Sequence, residues 1–536
     1  MCMSDAIRRR RKMAIIPVAV VVLSSSAALS GGSSEPINPA IMPVIGTVDK
    51  RFQAYNVEML EVTGGRFWKP YKDIKAGSAA TKDTRGSTST PAGMNADLYQ
   101  YRPPIDLRHS RLRKLAGALG PAYVRVSGTW ANSTYFADTD APPPTTPPKG
   151  FGSVLTREQW KGVVDFARAA NAEIISSFAV NGGVRNAEGI WTPDQARAFL
   201  SYTKSAGGRI AAAEFINEPN LSFISGLPKA YDAAAYAKDI AVFRPFLKQT
   251  SPDTLFLGPG SVAEGKDAFV PASLNLLRSE DLLKATGAIY DVFSYHLYPA
   301  VSQRCASLSP KGGTTAAAAL SAEWLARPDA IHAFYAGLRD RFEPGKPIWI
   351  TETADASCGG NPWGSTFLDT FRYLDEHARL AQAGVEVVAH NTLAASDYGL
   401  LDADTFAPRP NYWAALLWHR FMGTTVLKPN APEGKDFPVY AHCATNRPGA
   451  ATLLAINTDR STPRTLNVSS DSERYSLTAP TLEDSRVQLN GKELNLGAND
   501  SIPELVGIPT RSGQVTLAPA SITFLVFPQA HNSNCQ

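Results

Sequence analysis

Two glutamates, Glu218 and Glu352, stand at the ends of short apolar runs, in the segments AAAEFINEPN and KPIWITETAD. In the first, Asn217-Glu218 is followed by Pro219, which stops a strand and turns the chain. In the second, Ile348, Trp349 and Ile350 lead into Thr-Glu-Thr. Two carboxyl groups brought together across one mouth can cleave an acetal. The protonated one gives its proton to the leaving oxygen, and the other attacks or stabilises the anomeric carbon. Their surroundings must then push the two pKa values apart. A single strand-end glutamate is ordinary and mostly solvated; the pair and its context single these two out. No Cys-x-x-Cys or His-x-x-x-His spacing occurs, so no metal site is expected.

The elements that must carry the pair are legible as alternation. Between residues 50 and 395, β-rich apolar runs at 52–60, 122–127, 173–178, 213–216, 254–257, 292–296, 348–351 and 386–390 alternate with longer stretches. Of these, 157–170, 196–205, 230–248 and 366–383 read as helices. Alternating strands and helices argue for βα units on a parallel sheet, and eight strands is the count of an α/β (β/α)8 TIM barrel, whose active site lies at the carboxyl ends of its strands. Glu218 falls at the fourth such end and Glu352 at the seventh. After Met422 the helical period gives way to short alternating runs (451–457, 475–477, 487–489, 522–527) separated by turn signals such as Asn490-Gly491. These predict a C-terminal antiparallel β-sandwich over 423–536, beside a barrel over 51–422. Two Gly/Ser/Thr- or Pro-rich stretches, 75–94 and 141–150, read as surface loops.

Composition bounds the rest. With 536 residues, 44% hydrophobic, 19% charged and rich in Gly and Pro, the chain is neither polytopic in a membrane, nor disordered, nor a coiled coil. Residues 1–30 read as a secretory signal: Arg8 to Arg11 and Lys12 precede an apolar run from Ala14 to Leu23, and Ala28 and Ser30 fit a small-x-small cleavage site. They hold five of the 53 basic residues and one of the 49 acidic ones, so the remainder is charge-balanced. Nucleic acid is therefore not an expected partner, and no stable membrane insertion is expected after cleavage. Cys305, Cys358, Cys443 and Cys535 then remain, an even number for an oxidising compartment. Three pairings are open, and 305–358 with 443–535 keeps each bridge within one half of the chain. Asn132, Asn220, Asn467 and Asn499 begin Asn-x-Ser/Thr sequons; a glycan at Asn220 would obstruct Glu218, so that sequon is read as chance.

Several strings carry a family resemblance: VEMLEVTGGRFW, AYVRVSGTWANSTYF, FINEPN, YHLYP and the long AGVEVVAHNTLAASDYGLLDADTFAPRPNYWAALLWHRFMG. They resemble glycoside hydrolase family 79, the group of heparanases and β-glucuronidases, from about Phe52 to Gly423. The resemblance implies Glu218 as acid/base and Glu352 as nucleophile of a retaining hydrolase, with Asn217 contacting the sugar 2-hydroxyl. It implies further that Glu58 contacts the sugar, that Tyr298 stands near the nucleophile, and that Gly128 and Thr129 line the sugar site. Tyr398 with the backbone amides near Gly359 and Gly360 would hold a uronate carboxylate. The family's β-domain usually takes in a short N-terminal segment, here about residues 31–50. Cys358, just before the two glycines, departs from the heparanase pattern.

The expected function is therefore a secreted retaining exo-β-glucuronidase acting on a glucuronide or a uronic-acid-containing glycan without metal or organic cofactor. The alternative is an endo-acting, heparanase-like glycosaminoglycan hydrolase, whose polyanionic substrate would favour clustered Lys and Arg. A dead scaffold that only binds carbohydrate would have lost one glutamate, and both are present.

Overall fold

The computed structural model describes residues 35–74, 95–265, 276–307, 309, 312–431 and 434–536. The expected signal at 1–30 and the loop at 75–94 lie outside the described residues. Eight strands, β1 (Gln53–Glu58), β2 (Ala122–Ser127), β3 (Ala172–Ser176), β4 (Ile210–Glu214), β5 (Leu255–Ser261), β6 (Val292–Leu297), β7 (Ile348–Thr353) and β8 (Val385–His390), pair in parallel and close into a barrel in chain order. Outside them lie α1 (Ser110–Ala118), α2 (Arg157–Ala169), α3 (Asp194–Ser205), α4 (Ala233–Thr250), α5 (Ser279–Thr286), α6 (Arg327–Phe342), α7 (Phe367–Gln382) and α8 (Pro410–Phe421). Local signals set their starts. Thr156 and Gln159 form a reciprocal capping box on α2, and Asp232 caps α4 through the Ala235 amide at 2.8 Å.

Two strands differ from expectation by more than two residues at an end. β4 covers Ile210–Glu214 rather than 213–216, because Phe215 and Ile216, though buried, belong to the turn that follows. β5 runs on through Gly258-Pro259-Gly260 to Ser261, where those residues signal a stop. A Cβ on Gly258 would lie 2.1 Å from Tyr290 Cε1, so its glycine reflects close packing and not a turn.

The barrel floor is small and apolar, with Ala54, Ile175, Ala212, Leu257, Val292 and Val387 around the Tyr123–Trp349 ring pair. Above it the interior becomes polar. After α8 the chain enters the β-domain: β9 (Met422–Leu427), β10 (Val439–Ala444), β11 (Ala451–Asn457), β12 (Ser472–Thr478) and β13 (Ser521–Phe527). They belong to a nine-stranded sheet that also takes in Val44–Thr47, paired antiparallel with β9. One face packs Leu453, Leu525 and Phe527 against Leu466, Val515 and Leu517 of a second, two-stranded sheet. On the other face, Leu454, Ile456 and Phe524 continue the core that α7 and α8 share with the barrel. Both disulfides of the intra-half pairing are present, Cys305–Cys358 and Cys443–Cys535. Among the described residues no helix is long and apolar enough to cross a membrane.

Candidate active site

The period of two along β2 points Tyr123, Arg125 and Ser127 into the barrel at rising heights. Arg125, 1% exposed, is the centre of the polar layer. Its Nε and Nη2 donate to Glu214 Oε2 at 2.9 and 2.8 Å, Nη2 donates to Asn217 Oδ1 at 2.7 Å, and Nη1 donates to Glu352 Oε2 at 2.8 Å. Glu214 Oε1 accepts from Thr351 at 2.6 Å and from Ser294 at 3.2 Å. Burial, the largest single influence, would raise the Glu214 pKa, but Arg125, His296 and the Thr351 hydroxyl together outweigh it, so Glu214 is held below the usual carboxylate range and remains the arginine's counter-ion. On β7 the pairing register slips between Ile350 and Glu352, so consecutive Thr351 and Glu352 both reach the centre instead of alternating.

Glu218 and Glu352 meet at this mouth. With His296 they place one ligating atom each within 4.8 Å of the others. Their settings differ. Glu352 Oε1 accepts from the Tyr298 hydroxyl at 2.6 Å, and its Oε2 from Arg125. Glu218 lies in a left-handed backbone conformation (φ 52°), and His296 Nδ1 lies 3.0 Å from its Oε1. Arg125 Nη2, which can only donate, lies 3.2 Å from His296 Nε2, so Nε2 accepts and Nδ1 carries the proton toward Glu218. Burial lowers the His296 pKa and keeps the ring neutral. Burial also pushes Glu218 up to about 7, against Arg125. These three side chains are of types that bind divalent metals, but Arg125 already brings its positive charge onto the same carboxylate and imidazole. The set can hold and pass a proton.

The remaining predicted residues gather around the pair. Glu58, at the end of β1, is buried and raised well above the carboxylate range, by desolvation first and by Glu352 second. A Cβ on Gly128 (φ 94°) would stand 1.6 Å from Glu58 Oε2, so only glycine admits this carboxyl group. Thr129, next in the chain, is half-buried at the start of a 3-10 turn. Asn217 is locked by a reciprocal pair with Asn132: its N–H donates to Asn132 Oδ1 at 3.0 Å, and its carbonyl accepts from Asn132 Nδ2 at 2.9 Å. Tyr298 and Tyr398 are joined by Asn391, whose Nδ2 donates to the two hydroxyls at 2.9 and 3.1 Å. Gly359 and Gly360, both left-handed, press against the loop before Tyr398, and the Gly359 carbonyl accepts from Ser396 Oγ at 2.8 Å. Among the described residues the Gly359 and Gly360 amides find no acceptor.

The sequence reading overlooked Arg125, Glu214, His296 and Asn391 as site residues. Arg125 and Glu214 sit inside apolar runs, where a charge is the signal: a buried strand does not carry one without a partner. Asn132 is fully buried in its pair with Asn217, so its sequon is no more usable than that of Asn220, which is also fully buried.

The fold recurs in a solved 4-O-α-L-rhamnosyl-β-D-glucuronidase from Fusarium oxysporum, with TM-score 0.59 and 15% identity over 91% of this chain and 99% of that one. Heparanase-like protein 1 of Arabidopsis thaliana is 26% identical over 485 residues, 80% of this chain and 86% of the relative. Baicalin-β-D-glucuronidase of Scutellaria baicalensis is 34% identical over 212 residues, 37% of this chain and 40% of its own. Barrel, β-domain and relatives together define a glycoside hydrolase, an enzyme acting on carbohydrate. Within that class, residues 104–378 match the N-terminal domain of glycosyl hydrolase family 79, half of the chain, and the chain belongs to that family.

Proposed function

We propose that this chain is a secreted retaining exo-β-glucuronidase, removing β-linked glucuronic acid from glycosides or glycan ends. The observation that carries the mechanism is the asymmetry of two carboxyl groups whose oxygens lie within 4.8 Å. That closeness favours the ~5–5.5 Å carboxyl spacing of retaining enzymes over the ~6.5–9.5 Å of inverting ones. Glu218, raised to about 7, gives its proton to the aglycone oxygen as Glu352 forms a bond to the anomeric carbon and the glycosidic bond breaks. Water then attacks that carbon, its proton passes to Glu218, and Glu352 leaves with the β configuration restored. Arg125 and Tyr298 aim the Glu352 oxygens, and Asn217, its Oδ1 taken by Arg125, keeps its amide N–H groups for the sugar 2-hydroxyl.

Uronate selection falls to the free amides of Gly359 and Gly360 with the Tyr398 hydroxyl, and the named glucuronidase relative supports that reading. Exo action on a neutral aglycone is favoured by charge. Around this pocket Arg304 pairs with Asp397, Arg409 with Asp402, and both Lys72 and Arg102 with Asp404, so each of these four cations has a carboxylate partner, one of them shared, and they do not form an open array for a polyanion. Two disulfides support an oxidising compartment.

The test is release of 4-nitrophenol from its β-D-glucuronide, β-D-glucoside and β-D-xyloside, with the product anomer followed by NMR. Glucuronide-selective turnover giving the β anomer first, abolished in Glu352→Ala, is the expected result. Shortened heparan sulfate chains with no aryl glycoside turnover would instead establish endo action.

A further inference from the structure

We propose that the Cys305–Cys358 disulfide is a positioning device for substrate specificity: it fixes the turn that presents the Gly359 and Gly360 amides to the carboxylate of the sugar. The inference rests on the uronate pocket proposed above. Cys358 (φ 60°) begins three consecutive left-handed residues ending in Gly359 (φ 81°) and Gly360 (φ 82°). A left-handed non-glycine is strained on its own and persists where its surroundings over-determine it. Here the loop after β6 does so, together with the Ser396 and Asp397 bonds to the Gly359 carbonyl. Ser302 N–H donates to the Ser357 carbonyl at 3.2 Å, Ser302 Oγ to the Cys358 carbonyl at 3.1 Å, and Ser357 N–H to the Ala300 carbonyl at 3.0 Å. Gln303 N–H donates to Asn361 Oδ1 at 3.2 Å, closing the far end of the turn, and the disulfide joins the two loops between these bonds.

The strap has a second anchor. Arg304, next to Cys305, has a buried side chain that pairs with Asp397, donates to the Lys69 carbonyl and lies 4.1 Å over the Tyr71 ring. Asp397 precedes Tyr398, and its amide donates to the Gly359 carbonyl at 3.2 Å. One short segment, 302–305, thus holds both halves of the proposed carboxylate site, the glycine turn directly and the Tyr398 loop through Asp397. It touches neither Glu218 nor Glu352, whose partners are His296, Arg125, Tyr298 and Asn391. An interaction with the uronate that is the same in ground and transition states affects KM and leaves kcat.

The double variant Cys305→Ser/Cys358→Ser is therefore expected to raise KM for 4-nitrophenyl β-D-glucuronide by ~10-fold or more, with kcat within roughly threefold of wild type, since a misplacement near 1 Å can cost up to ~100-fold. Cys443→Ser/Cys535→Ser, which breaks the distant bridge, is the control and is expected to keep the wild-type KM. Ser302→Ala, with the disulfide intact, gives a second reading in case the double variant does not fold: its KM should rise in the same sense, by less. Unchanged KM in Ser302→Ala together with unchanged KM, or an equal loss of kcat, in the double variant overturns the inference and leaves the glucuronidase reading standing. Wild-type enzyme inactive on the glucuronide but active on another glycoside removes both.

Discussion

Glu218 is kept as an acid by its surroundings and not by its own chemistry. A solvated glutamate would have lost its proton two to three pH units below neutrality, and here burial holds it to about 7. The free-enzyme kcat/KM should therefore fall above about pH 7, tenfold per unit, as the proton needed for the leaving group is lost. Glu218→Ala should lose several orders of magnitude on an alkyl glucuronide and far less on the 4-nitrophenyl glycoside, whose phenolate departs with little protonation. An equal loss on both substrates, with the basic limb unmoved, would assign the proton to another group. At this scale the sequence was a good guide to Glu218 and Glu352, which lie just past or at the carboxyl end of a strand, while Glu58, the last residue of β1, came only with the family resemblance. It was a poor guide to Arg125 and Glu214, whose meaning lies in facing each other across the barrel at 2.8 Å, a contact between strands 89 residues apart.

Elements were legible where local pattern and packing agree. The run 122–127 sets β-branched Val124 and Val126 between Tyr123, Arg125 and Ser127, and the strand has those bounds. They were misread where tertiary packing overrides a local breaker, as in β5, whose Gly258 lies under Tyr290. That misreading makes a prediction. Gly258→Ala would drive a methyl group into the Tyr290 ring, itself 1% exposed and bonded to Tyr236 at 2.7 Å. Overpacking of this kind costs about 1–3 kcal/mol. Urea unfolding should show a loss of that size with the KM for glucuronide retained, because β5 supplies none of the carboxyl groups at the mouth. A wild-type midpoint in the variant would mean that the strand's glycine is incidental. The slip in β7 that turns Glu352 inward was invisible for the opposite reason: nothing in TET announces a bulge, which exists only in the register with β6.

For the whole molecule, the buried titratable groups fall into two sets with opposite signs. His377, His390 and His442 each donate one ring N–H to a backbone carbonyl at 2.7 Å, and the other ring nitrogen is buried without a partner among the described residues. Burial depresses them to about 3, 3 and 4, so they are neutral when folded and near 6.5 when unfolded. As pH falls below 6.5 the unfolded chain takes up protons that the folded one refuses, and the histidine contribution to stability is lost progressively. Glu61, Asp355 and Glu218 are raised by burial to about 8, 7 and 7, and ionise near 4 once unfolded. Their contribution is complete below that value and is lost as pH rises toward 7–8. Each proton is worth ~1.4 kcal/mol per pH unit within its window. Between about 4.5 and 6.5 the two sets oppose and offset each other. Below that the histidines act, joined by Glu214, whose lowered pKa has the same sign, and above it the carboxyl groups. Thermal unfolding across pH 3.5–8.5 should therefore give a plateau in the mildly acidic range with a fall on either side. Glu61→Gln, whose amide oxygen can still accept the Glu58 N–H, should flatten the alkaline fall alone, and His442→Gln, in the β-domain, the acid fall alone. A midpoint rising monotonically from acid to alkaline pH would mean that the buried carboxyl groups are ionised in the folded protein, and with them the acid that Glu218 supplies.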